Sequence, residues 1–404
     1  MAAIVPFRAL RPTPHSAAHV AAVPYDVVNT DEARALAAGN PLSFLHVSRA
    51  DIDLPPGTDL YSNATYEKAV ANFAALKARA PLIEEDVPSM YAYRVRLGSH
   101  AQTGVAACFS VTEYESNVIK KHERTRRDKE DDRTRHILEL RAQTGPVFLT
   151  YRATGAVDAI VERTTAQQPL FDFQAVDGVQ HTVWTLDGGD QHDLTVAFGA
   201  VPALYIADGH HRVASAARVA RQLRGSGGAG EWEAFLAVAF PHNQMQVLPY
   251  NRVAKDLGSH TPQSLLAELR KHFTVTDGPA SPARKGEVAM FLDGRWSTVE
   301  LTVAREGLAP ADRLDVTRLQ DLILTPLLGI LDVSMDKRID FVGGIRGTAE
   351  LERLVRSGSA AVAFSMYPVS VADLMAISDA GGIMPPKSTW FEPKLRDGLL
   401  SHVI

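Results

Sequence analysis

Apolar positions along this chain follow two alternating patterns. Short apolar runs bounded by turn residues predict strands at 89–96, 104–111, Val147–Tyr151, 203–207, 235–240, 288–292 and 360–364. Apolar residues spaced three and four apart predict helices at 31–38, 65–78, 129–140, 211–224, Pro262–His272, 316–328 and 349–356. Strands and helices mixed in this way predict an α/β fold of the mixed α+β kind, with several antiparallel pairs. No repeat recurs at a solenoid period.

Glycine and proline punctuate the pattern. The run Gly225-Ser226-Gly227-Gly228-Ala229-Gly230 follows a predicted helix and is too permissive to form an element, so it reads as a linker. A second break falls at 277–286, and 259–303 reads helix, strand, strand, strand. The expected organisation is an N-terminal α+β region at 1–115 and a core at 116–258. A small α+β insertion at 259–305 and a C-terminal α/β region at 306–404 complete it.

Composition narrows the function classes. The 404 residues are 46% hydrophobic and 22% charged, ample for large cores. A net charge of -5 gives no global attraction to nucleic acid or to an anionic membrane, so neither is an expected partner. The single cysteine, Cys108, excludes an internal disulfide framework and sits in an apolar stretch as a small core residue. With no signal-type start and no window of spanning length, the expected location is the cytoplasm. The oligomeric state is left open.

Two segments carry the candidate chemistry. In Ala203–Ala217 an apolar strand runs into Asp208-Gly209-His210-His211-Arg212 and an alanine-rich helix follows at once. A helix N-terminus exposes unpaired N–H groups and a partial positive charge. Gly209 lets a ligand or a tight turn approach the backbone, and Arg212 adds a bidentate donor. Together with His210 and His211 these groups form an anion cradle suited to phosphate. Asp208 can cap the helix, hold a divalent cation, or orient His210.

The second segment, Lys120 to His136, holds eight Lys/Arg and five Asp/Glu, so it is locally basic. Its helical part reads as a solvated face in which Asp131 and Arg135 form an i,i+4 pair. Its front end, Lys121-His122-Glu123-Arg124-Thr125, places a histidine and a carboxylate beside two cations. That grouping suits a general base next to phosphate ligands.

These segments resemble the domain of unknown function 1015 family. The resemblance extends to Val23-Pro24-Tyr25-Asp26-Val27-Val28, to Gly145-Pro146-Val147-Phe148-Leu149, and to the run Met384-Pro385-Pro386-Lys387-Ser388-Thr389-Trp390-Phe391-Glu392-Pro393-Lys394. Val213 stands where an aromatic residue is expected after Arg212. The strand–turn–helix unit is also similar to the ParB/sulfiredoxin-like fold, which implies such a core with additional α+β modules. Members of that fold bind nucleotides at a Gly-x-x-Arg turn, and one kinase among them acts on free serine.

The resemblance implies phosphoryl transfer to a hydroxyl acceptor, with free L-serine giving O-phosphoserine. Such a reaction needs an in-line acceptor, a base for its hydroxyl, and positive charge around the transferring oxygens. On this reading Glu123 is the base and His122 orients it. Gly209, His210, His211, Arg212, Arg124 and Lys121 hold phosphate, and Asp208 takes Mg²⁺. Lys387, Ser388 and Thr389, with Tyr25 and Asp26, meet the small-molecule substrate. The donor is ATP, ADP or pyrophosphate, and no P-loop motif is present to choose among them. Three alternatives use the same residues: a phosphate-ester hydrolase, a non-catalytic nucleotide sensor, and a ParB-like nucleic-acid module.

Overall fold

The computed structural model describes residues 2–79, 82–225, 228–301 and 307–404. Ser226 and Gly227 of the predicted linker, and the end of the expected 259–305 insertion, lie outside the described residues. The fold is mixed α/β, as the pattern predicts, and it divides into two compact units. The first comprises Met1–Lys121, Thr125–Met245 and Pro393–Ile404; the second comprises His122–Arg124 and Gln246–Glu392.

The first unit is built on a nine-stranded sheet. Its path runs Ile119–Lys120, Leu204–Asp208, Val147–Tyr151, Ala234–Pro241, His100–Ser110, Tyr91–Leu97, Gln180–Thr185 and Phe171–Gln174, with Ile4–Val5 pairing on His100–Ser110. Leu204–Asp208 runs parallel to Ile119–Lys120, and Ala234–Pro241 runs parallel to Val147–Tyr151; the remaining pairs are antiparallel. The central strands are apolar on both faces, so they are buried on both, which suits a sheet covered by helices. Phe109, Phe198 and Phe235 meet in the main core, and Cys108, next to Phe109 on its strand, is buried on the other face of the sheet. A four-stranded sheet of Ile83–Glu84, Ala9–Arg11, Ser401–Val403 and Ala142–Gln143 draws the C-terminal segment into this unit.

The helix Arg127–Leu140 departs from the solvated reading. Asp131 pairs with Arg218 at 2.6 Å, not with Arg135, which instead pairs with Glu139 at 3.4 Å. Asp132, Thr134, His136, Ile137 and Leu140 are buried. Charge counting along the sequence could not see that a second helix, His210–Arg224, supplies the cation from outside. Ser215 Oγ of that helix also donates to the Glu130 carbonyl at 3.2 Å.

The second unit holds an antiparallel six-stranded sheet in the order Val275–Asp277, Arg295–Glu300, Glu287–Leu292, Val362–Met366, Tyr250–Ala254 and Ile339–Gly343. The helix and three strands read at 259–303 are present, and these strands share their sheet with three others. The helix predicted at 316–328 is shorter. Asp315–Leu319 is regular, and Gln320–Leu324 widens so that Thr325 N–H reaches the Gln320 carbonyl at 2.9 Å. Pro326 has no N–H with which to continue the ladder.

Candidate functional site

Strand Leu204–Asp208 ends where the sequence places it, and helix His210–Arg224 begins two residues later. A bulge between Ile206 and Asp208 interrupts its pairing with Val147–Tyr151, which turns the strand end out of register. Gly209 is the helix N-cap with φ +93°, a backbone region that a side chain enters only with strain. A Cβ there would also lie 3.4 Å from the Arg212 guanidinium, so glycine lets Arg212 fold back against the turn.

Asp208 does not act as a helix cap. Its Oδ1 accepts from the adjacent Gly209 N–H at 2.9 Å, and its Oδ2 accepts from Lys394 Nζ at 2.8 Å. Burial favours the neutral acid, yet Lys394 and then Arg212 outweigh it and hold this carboxyl well below the usual range. Asp208 is thus already half of an ion pair, with Lys394 on one carboxylate oxygen and the Gly209 N–H on the other.

Arg212 is the centre of the site. It is 8% exposed, and its Nη1 donates to the Pro146 carbonyl at 2.6 Å. Nε and Nη2 are buried with no protein hydrogen-bond partner. Nη2 lies 3.6 Å from Asp26 Oδ2, close enough to pair electrostatically but too far to bond. Burial opposes its charge, and Asp26, Asp208 and Asp397 overcome that, so the guanidinium stays ionised. An edge of two adjacent N–H groups matches two oxygens of a phosphate or carboxylate.

A small cavity opens beside this guanidinium, lined among others by Tyr25, Arg133, His136, Gly145, Arg212 and Asp397. Its volume, about 40 Å³, gives room for roughly two or three waters. Arg133 stacks on Tyr25, 4.1 Å from the ring centre, and its Nε pairs with Asp132 at 2.8 Å. Asp132 in turn accepts from the Tyr66 hydroxyl at 2.8 Å. His136 Nε2 donates to the Val47 carbonyl at 3.2 Å; burial and then Arg133 push it down to about 3, so it is neutral. Asp397 is 2% exposed, and burial pushes its carboxyl up to about 7 despite Arg212. Gly145 makes room for it: a Cβ there would lie 2.5 Å from Asp397 Oδ1.

The other predicted residues fall as follows. His211 Nε2 accepts the Arg126 N–H at 3.0 Å, so it braces the loop before the charged helix. His210 is buried. Lys121 lies 4.1 Å over the Tyr114 ring, a packing position, and burial lowers its basicity. In the second unit, the His122 carbonyl accepts from Met384 N–H at 2.7 Å, which ties His122-Glu123-Arg124 to the segment leading into Lys387. His122 is buried, Glu123 half-buried and Arg124 exposed. Lys387 is exposed in a turn at φ +59°, 5.6 Å over the Tyr250 ring. Ser388 donates to the Pro385 carbonyl at 2.6 Å, which closes that turn, and Thr389 is half-buried. Sequence reading did not assign Lys394, Asp397, Arg133 or Asp132 to the site. Lys394 ended a motif already noticed, whereas nothing local marks Asp397.

These features define a mixed α/β protein with a buried arginine and a glycine turn at a strand–helix junction. The chain belongs to the family described as protein of unknown function (DUF1015), whose model matches residues 4–317. The match ends before the 384–394 segment. No curated protein matches the sequence. Among solved structures, the chain is similar to a conserved hypothetical protein from Pyrococcus furiosus, at 13% identity over 73% of this chain and 94% of that one, with a TM-score of 0.37. It is similar to a free serine kinase in complex with AMP, at 13% identity, 73% and 92% coverage and a TM-score of 0.36. A C-terminally truncated SbnI from Staphylococcus aureus aligns at 12% identity, 72% and 85% coverage and a TM-score of 0.38. Among the described residues no helix is long and apolar enough to cross a membrane.

Proposed function

We propose that this protein is a phosphotransferase acting on a small hydroxyl compound, with the Asp208–Arg212 turn as its phosphate-holding element. The observation that supports it most is the Nε–Nη2 edge of Arg212, buried without a hydrogen-bond partner beside a glycine N-cap. An unmet buried donor pair costs stability, and an oxyanion docked on that edge would remove the cost. Arg212 and the backbone at Gly209 then face the oxygens that gain charge during transfer. Asp208 serves by fixing Lys394 as a further cation, and no metal is assigned to it.

In this reading Glu123 accepts the proton of the acceptor hydroxyl and His122 orients it, roles given by residue type. By residue type, Arg124 and Lys387 are further candidates for phosphate contact and Tyr25 and Asp26 for the acceptor, the last two neighbouring Arg212. The family resemblance makes free L-serine the first acceptor to test. Purified protein is incubated with ATP, ADP or pyrophosphate and each hydroxyl amino acid, and products are followed by phosphorus NMR. O-phosphoserine formed only with serine present supports the proposal. Phosphate release indifferent to any acceptor would replace it with a hydrolase, and donor binding without turnover would replace it with a sensor.

A further inference from the structure

We propose that Asp397 is a positioning residue for this anion site: its carboxyl competes for the Arg212 guanidinium, and it takes up one proton from the bulk buffer when an oxyanion docks on the Nε–Nη2 edge. The inference rests on the reading of Arg212 as an oxyanion ligand and adds a proton to it.

The charges around the cavity carry the argument. The carboxylates are Asp26, Asp132, Asp208 and Asp397; the cations are Arg133, Arg212 and Lys394. With every group ionised the cluster is already negative by one charge, and an arriving oxyanion would make it more so. Protonating one carboxylate offsets that charge, and the surroundings of Asp397 favour it most. Asp208 is locked to Lys394 at 2.8 Å and Asp132 to Arg133 at 2.8 Å. Asp26 reaches solvent, its side chain 37% exposed, and so bears its charge at little cost. Asp397 is 2% exposed, and no cation is bonded to it in a salt bridge among the described residues. Its neighbours are the Tyr25–Asp26 turn, Arg133 and the neutral His136 of one helix, Arg212 of another, and uncharged Thr144 and Gly145. On its own segment Arg396 is committed to His181 and Asp177. Burial already leaves the Asp397 carboxyl at about 7, and a doubly charged oxyanion on the neighbouring guanidinium raises it far enough to stay protonated across the whole neutral range.

The fit to the cavity is steric as well as electrostatic. Asp397 is held from both sides by backbone bonds with Ala22, at 2.9 and 3.2 Å, and only a glycine at 145 leaves space for its Oδ1. The backbone of Asp397 is thereby held at the cavity, where its carboxyl packs against Gly145.

Sulfate is the probe, since it carries no ionisable proton near neutrality. Its binding to the full-length protein is measured by titration calorimetry in buffers of different ionisation heat, from pH 5.5 to 8.5. The wild type should take up roughly half a proton per sulfate at pH 7 and nearly one at pH 8.5, with affinity falling about 30-fold between pH 5.5 and 8.5. Asp397→Asn should bind with no uptake and a flat profile, tighter than wild type at pH 8.5 by that same factor. Sulfate binding with no proton uptake in the wild type overturns the inference and leaves the anion site standing. Absence of sulfate binding at every pH overturns the anion site, and the inference with it. The wild-type profile decides the matter even where Asp397→Asn does not fold.

Discussion

Replacing Arg212 tests the site most directly, because its contribution to binding and to folding can be separated. In Arg212→Ala an anion loses two charge-assisted hydrogen bonds, those of Nε and Nη2. At about 1.5 kcal/mol each these amount to about 3 kcal/mol, or roughly 150-fold in dissociation constant. Little of that is returned as relieved desolvation, since the guanidinium is already buried in the free protein. The fold loses the 2.6 Å bond to the Pro146 carbonyl, worth about 1.5 kcal/mol, and melts a few degrees lower. Arg212→Lys keeps one charge but cannot present two parallel N–H groups, so it should recover less than half of the lost binding energy. The assay is calorimetric titration of ATP, ADP, pyrophosphate and sulfate, alongside a thermal melt that shows each variant folded. A folded Arg212→Ala that binds all four as tightly as wild type would refute the reasoning.

Glu123→Gln keeps shape and hydrogen bonding but no basic carboxylate, so phosphoserine formation should fall about 10²–10⁴-fold while donor binding persists; full activity would remove Glu123 from the proposal. His136→Ala empties a buried position and frees the Val47 carbonyl, so urea unfolding should show a loss of about 2–4 kcal/mol. Gly145→Ala drives a methyl into Asp397 and should cost about 1–3 kcal/mol in the same measurement. Asp397 holds its proton more tightly folded than unfolded, so its contribution is full below about pH 4 and is lost as pH rises through about 7. Asp397→Asn should therefore gain on wild type by up to about 4 kcal/mol at pH 8, with little difference at pH 4, and an unchanged gap would contradict the burial argument.

Much of the fold was legible because its signals are local. The strand at Val147–Tyr151 is a bounded apolar run, and the helix Pro262–His272 carries proline in its first turn behind a Thr261 cap. The turn at Asp208-Gly209 announced itself by composition, since few residues other than glycine take φ +93° without strain. Where reading failed, the deciding partner lay elsewhere in the chain. Asp131 turns to Arg218, 87 residues away, in place of Arg135 on its own helix. The short pairings that place the C-terminal segment, Ser401–Val403 on Ala9–Arg11 and on Ala142–Gln143, are two to three residues long and have no periodicity to detect.

The site divides along the same line. Residue types at 208–212 are enough to predict the strand–glycine–helix turn and to propose an anion cradle there, because glycine, helix N-terminus and arginine act within one turn of chain. They do not predict the electrostatic state of that cradle. Lys394 reaches Asp208 across 186 residues, and this one contact turns a plausible metal ligand into half of an ion pair. Asp397 stands three residues further on, in Leu395-Arg396-Asp397-Gly398, where its sequence context is that of an ordinary exposed turn. What makes it different is burial against Gly145 and Arg212, a property of three segments together. A carboxylate adds to an anion site only when something compels its presence. Here the backbone pairing with Ala22 holds the residue at the cavity, so the cost of its buried charge is met by a proton or by Arg212, Arg133 and the Tyr25 backbone. Whichever answers at a given pH sets how much of Arg212 is left for a ligand.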